Sequence, residues 1–60
     1  MAVKANPLID KIERSKRRTI SLIVNENAEL VVRAPMKVSL DYINAIVLEK
    51  AKWILKKKEE

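Results

Sequence analysis

The side chains of this chain that carry chemistry are three serines, eight carboxylates and a run of cations, and none stands beside the partner its chemistry requires. Ser15, Ser21 and Ser39 have no imidazole to act as base, because the sequence contains no histidine, and a lysine base would have to be buried and neutral. A zincin-type site needs two imidazoles one helical turn apart and a carboxylate to activate the bound water. With neither histidine nor cysteine, that set cannot be assembled. The acidic pair Glu59 and Glu60 belongs to a frayed terminus and reads as solvated. The expectation is a chain that is not an enzyme on its own, with no catalytic, cofactor-binding or metal-ligating residue and no cofactor.

Two groups of residues suit binding rather than reaction. Lys11, Arg14, Lys16, Arg17 and Arg18, with Arg33 on a neighbouring strand, have the charge for a phosphate-binding surface at one end of a sheet. The candidate polyanion-binding residues are Lys16, Arg17, Arg18 and Arg33. The competing reading is a solvated turn that discourages edge-to-edge pairing, favoured by the lack of an aromatic interleaved in the sequence to stack on bases. Tyr42, Ile46 and Trp53 share a helix face and form a candidate docking stripe for a partner.

The elements that must position these groups follow from periodicity. Thr19 to Val24 alternates, with Ile20, Leu22 and Val24 on one face, and Leu30, Val32 and Ala34 repeat the pattern. Antiparallel pairing of 24 with 30, 22 with 32 and 20 with 34 puts all six on one side, which predicts a β-hairpin over 18–24 and 29–35. Its connection, Asn25-Glu26-Asn27-Ala28, needs one residue at positive φ, either Asn27 or Ala28; in a type I turn followed by a bulge, that residue is Ala28. A first strand over 8–13 rests on weaker alternation of Leu8 and Ile12, with a short helical turn as the alternative, and residues 1–7 read as a disordered lead-in.

Ser39 has the side chain of a helix N-cap and Asp41 suits the first turn. One long helix is predicted over 40–57, about 28 Å at full length, with Lys56, Lys57 and Lys58 at its negative end. Leu40, Ile43, Val47, Ala51 and Ile54 form its core stripe. Tyr42, Ile46 and Trp53 on one side and Leu48 and Leu55 on the other widen the apolar arc beyond half the circumference. A three-stranded sheet cannot cover so wide an arc, so the excess calls for a larger domain, a second copy or a partner.

Size and charge fit this picture. Sixty residues make a single small module, 8–58, whose core alone supplies only about 3–5 kcal/mol. The 13 Lys and Arg exceed the 8 Asp and Glu to give +5, which favours acidic partners. No apolar run approaches the roughly 20 residues needed to cross a bilayer, so no membrane partner and a cytoplasmic location are expected.

The run Arg14-Ser15-Lys16-Arg17-Arg18-Thr19-Ile20, then Val31-Val32-Arg33-Ala34-Pro35, Ser39 and Lys50-Ala51-Lys52-Trp53-Ile54 resembles the N-terminal region of the YgjP-like metal-dependent hydrolases. These are zinc-metallopeptidase-like proteins related to the SprT-like group. The resemblance spans residues 8 to 58, and Arg-Ala-Pro with Trp-Ile near the helix end is its most distinctive part. It implies a small antiparallel sheet and a helix preceding a helical catalytic region with a His-Glu-x-x-His motif and its zinc. No metal ligand of that motif has a counterpart here, and Ala28 stands where the family commonly has glycine.

The predicted fold is therefore α+β: a small antiparallel sheet of two or three strands with one C-terminal helix packed across it. The expected role is a non-catalytic structural and docking module of a metal-dependent hydrolase, partnered by the catalytic region or by another copy through the helix. A stand-alone module for nucleic acid or another polyanion and a small dimerising structural protein are the alternatives.

Overall fold

The computed structural model describes residues 4–60. Its elements are β1 (Lys11–Ser15), β2 (Ser21–Val24), β3 (Leu30–Pro35), α1 (Leu40–Glu49) and α2 (Ala51–Glu59). They form an α+β fold, with both helices packed on one face of a three-stranded sheet of order β1-β3-β2.

The hairpin has the expected register, with Val24 opposite Leu30 and Leu22 opposite Val32, although its ladder begins at Ser21 rather than at residue 18. Leu30, Val32 and Ala34 of β3 are fully buried with Ile43 and Val47 of α1 and Ile54 of α2, and these six make the core. Ile12, Leu22, Val24 and Leu40 pack around them, half-buried. In the connecting turn the Asn25 carboxamide oxygen accepts from Asn27 N–H (2.9 Å) and Glu29 N–H (3.0 Å), and Ala28 has φ 60°. Alanine thus occupies the left-handed position that the turn-plus-bulge geometry demands.

The antiparallel meander is corrected to a mixed sheet. β1 starts at Lys11 instead of residue 8 and runs parallel to β3, with Ile12 beside Val32 and Arg14 beside Ala34. The most apolar strand, β3, takes the centre, where both its neighbours can shield it. A hairpin between β1 and β2 would need a tight turn in Lys16–Ile20, which offers no glycine or asparagine for positive φ. Parallel strands instead require a long crossover, and β2 itself forms part of it. Residues 16–20 consequently cross the end of β3, a span of about two strand spacings, or roughly 10 Å.

The single helix predicted over 40–57 is two helices joined at Lys50, whose φ −97° and ψ 10° leave the α region. The hydrogen-bond ladder continues across the junction, from Lys50 N–H to the Ile46 carbonyl (3.0 Å) and from Ile54 N–H to the Lys50 carbonyl (2.9 Å). Ile54 stays in the core with Ile43 and Val47 across this break. At the start of α1 the Ser39 hydroxyl accepts from Tyr42 N–H at 3.1 Å, as its N-cap role requires.

Three polar clamps fix the ends of the sheet. Asp10 accepts from Leu30 N–H and from Lys58 Nζ, each at 2.7 Å, so one carboxylate ties the entry of β1 to β3 and to α2. The Arg14 guanidinium donates to the carbonyls of Pro35 (3.1 Å), Met36 (3.4 Å) and Val38 (2.5 Å), closing the loop from β3 into α1. Asn44 accepts from Asn6 N–H and donates to the Lys4 carbonyl, both at 2.8 Å. Of the lead-in expected over 1–7, residues 1–3 lie outside the described residues, and the backbone of 4–6 is bound to α1 in this way. Among the described residues no helix is long and apolar enough to cross a membrane.

Candidate docking groove and basic sheet end

One side of β2 is uncovered. Ile20 and Leu22 from the strand side and Ile46, Lys50 and Trp53 from the helices line a groove of about 420 Å³. Trp53 is 43% exposed and Tyr42 57%, values high for side chains of this size on a packed helix. Of the sequence-predicted stripe, Ile46, half-buried, and Trp53 line this groove, and Tyr42 lines the adjoining hollow. Leu48 is 70% exposed, so the far side of the apolar arc is also open.

The groove continues past Ile20 and Ile46 into a second hollow lined by Arg18, Thr19, Val38 and Tyr42. That hollow meets a third through Arg18 and Pro35, at the end of β3 crossed by the β1–β2 connection. Here Lys16, Arg17, Arg18 and Lys37 line a volume of about 380 Å³ together with Ser15 and Met36. The structure thereby brings Tyr42 next to Arg18, which their separation in sequence does not suggest. Lys37 also joins the cluster without having been singled out; its signal is visible only once the loop after β3 is known to run beneath residues 16–18.

Arg33 is placed elsewhere. It lies on the sheet face away from the helices, where its Nε donates to Glu13 at 3.1 Å while Lys11 Nζ approaches the same carboxylate at 3.4 Å. The Arg33 hydrogen bond, reinforced by Lys11, holds the Glu13 carboxyl below its ordinary pKa. Asp10 is lowered in the same direction, first by the Lys58 hydrogen bond and then by Leu30 N–H. Arg14 is engaged with carbonyls. Lys16, Arg17, Arg18 and Lys37, by contrast, have no carboxylate within salt-bridge distance among the described residues. Arg17 donates one bond, to Ser21 Oγ at 3.0 Å, and its Nε is buried with no acceptor.

A family model described as YgjP-like, metallopeptidase domain, matches residues 18–60. The chain belongs to the YgjP-like family. The matched residues take in β2, β3 and both helices, while β1 precedes them. No curated protein and no solved structure matches the chain. A metallopeptidase implies a metal, and the donor chemistry of this YgjP-like chain does not suit one. It has no imidazole or thiolate, and among the described residues no three Asp or Glu side chains converge into a group that could hold an ion. No step through a metal is derived from these residues.

Proposed function

We propose that this chain is the non-catalytic N-terminal structural and docking module of a metal-dependent hydrolase of the zinc-metallopeptidase type, with the metal-binding helix supplied by residues outside it. The observation that carries this reading is the uncovered groove of Ile20, Leu22, Ile46 and Trp53 on a member of a metallopeptidase family that has no histidine. Burying such apolar surface is favourable by about 25 cal/mol per Å². For a core limited to about 3–5 kcal/mol, a partner laid along the groove adds a considerable fraction of the total.

The mechanism is one of bracing. Clamped through Asp10, Arg14 and Asn44, the sheet and α1–α2 offer a fixed apolar face against which a catalytic helix can be oriented. Lys50 at the rim of the groove keeps its amine toward water while its stem contributes apolar contact.

The test is reconstitution. A polypeptide carrying a YgjP-like His-Glu-x-x-His helix, co-expressed with this chain, is expected to co-purify with it and to shift Trp53 emission to shorter wavelength. Trp53→Lys, which removes the one tryptophan of the sequence, should abolish the co-purification, and Ile46→Lys, which keeps the fluorophore, should abolish both effects. A Trp53 that is already blue-shifted and quencher-resistant in a chain shown by sedimentation to be monomeric overturns the reading.

A further inference from the structure

The net charge of the chain resides in two stretches free of acidic residues, around β2 and β3. Residues 14–25 and 30–40 contain Arg14, Lys16, Arg17, Arg18, Arg33 and Lys37 with no Asp or Glu, whereas the other seven Lys and Arg are outnumbered by the eight acids. Two of those six cations are already committed, Arg14 to carbonyls and Arg33 to Glu13. The remaining four line one hollow, with Tyr42 reached through Arg18.

Four like charges in one small hollow repel each other, and in a small domain that repulsion is a cost with no visible return within the molecule. The Arg17 Nε is buried, so Arg17 can offer a ligand only its terminal guanidinium nitrogens. A ligand with several closely spaced anionic oxygens would relieve that repulsion. A single carboxylate would neutralise only one charge, whereas a phosphodiester chain brings one per nucleotide. The adjoining phenol ring, more than half exposed, gives a face on which an unpaired base can stack.

We propose that Lys16, Arg17, Arg18 and Lys37 bind the phosphate backbone of single-stranded nucleic acid, with Tyr42 stacking one base. Arg14 acts as a positioning residue: by fixing the carbonyls of residues 35–38 it holds the loop bearing Lys37 against the β1–β2 connection. The site adjoins the Trp53 groove and takes Tyr42 from the same helix face, but none of its four cations lines that groove, so salt-dependent binding and docking at Trp53 are read by different variants and either reading can fail without the other.

The experiment is fluorescence anisotropy of the 60-residue chain with a fluorescein-labelled oligothymidylate of about twelve nucleotides, across about 50 to 200 mM salt. Four phosphate contacts predict a slope near −2.8 in log K against log salt, about a 50-fold loss over that range. Lys16→Gln/Lys37→Gln removes two exposed cations whose side chains make no hydrogen bond among the described residues, so it should leave the circular dichroism spectrum unchanged and halve the slope to about −1.4. Tyr42→Leu keeps apolar bulk but removes the stacking face. It should lower affinity roughly 5- to 150-fold with the slope unchanged. Absence of salt-dependent binding overturns the proposal. So does binding that is indifferent to Tyr42→Leu and equalled by oligoglutamate of the same charge, which would mark a general contact with acidic protein.

Discussion

Ala28→Gly should stabilise this protein, because Ala28 sits at φ 60° in a turn whose other bonds are already made. Holding an L-residue with a Cβ in the left-handed region costs about 1–2 kcal/mol. Glycine removes that cost but returns about 0.4–1 kcal/mol of extra freedom to the unfolded chain. The balance is a gain of about 0.5–1 kcal/mol, of the order of a fifth of what so small a core supplies. With an unfolding entropy of about 2.1 cal/mol/K per residue, each kcal/mol moves the midpoint of a chain this size by about 8 °C, so the substitution should raise it by roughly 4–8 °C. Thermal melts by far-UV circular dichroism, paired with urea titration at unchanged m-value, read the effect directly. Ala28→Asn, which tolerates left-handed φ, should fall between parent and glycine, and Ala28→Val should melt lower than the parent. A glycine variant that melts no higher than the parent would show that φ at residue 28 stores no strain and that the reasoning is wrong.

Two further predictions rest on the core and on the clamps. Ile43→Ala removes a fully buried side chain at a cost of about 2–5 kcal/mol, comparable with the whole stability, so the variant should be largely unfolded at 37 °C by circular dichroism; a cooperative melt within about 5 °C of the parent's would contradict it. Asp10 and Glu13 are both held below their ordinary values, so the folded state releases these protons more readily than the unfolded chain. Their contribution is complete above the unfolded values of 3.8 and 4.5 and is lost as pH falls through the lower folded values. Urea midpoints should therefore decline from about pH 5 downward, and Asp10→Asn should make the decline shallower; an unaltered decline would remove Asp10 from the account.

What could be read from the sequence was what local rules decide. Alternation in Ile20–Val24 and Leu30–Ala34 restricts the pairing to registers two residues apart, and the short connection between the strands selects Val24 opposite Leu30. A loop of that length needs one positive φ, which narrowed the position to Asn27 or Ala28, and Ala28 takes it. The order of the strands was a different matter, since alternation assigns a face but no neighbour: Ile12 would be buried equally well beside Leu22 or Val32. The break at Lys50 carries no glycine or proline to announce it. The meeting of Arg18 with Tyr42 is purely tertiary, created when residues 16–20 cross the end of β3. Judged by sequence proximity, the basic cluster lacked an aromatic; the topology supplies one.

The position of the open groove follows from the width of a helix. A helix about 10 Å across covers roughly two strand spacings, so one helical layer on three strands can seal the centre and leave both margins partly bare. The burial agrees: β3 contributes three fully buried residues, and neither edge strand contributes any. At the β1 margin the chain itself supplies cover, because Leu8 and Ile9 pack on the core and Asn44 holds the segment leading into them. At the β2 margin there is no equivalent segment among the described residues, and Trp53 and Lys50 overhang Ile20 and Leu22 alone. A partner helix completing the layer therefore has one vacant side to occupy, beside β2. Continued along that side, it would meet Arg18 next, so acidic residues at its far end would compete directly with any nucleic acid held there.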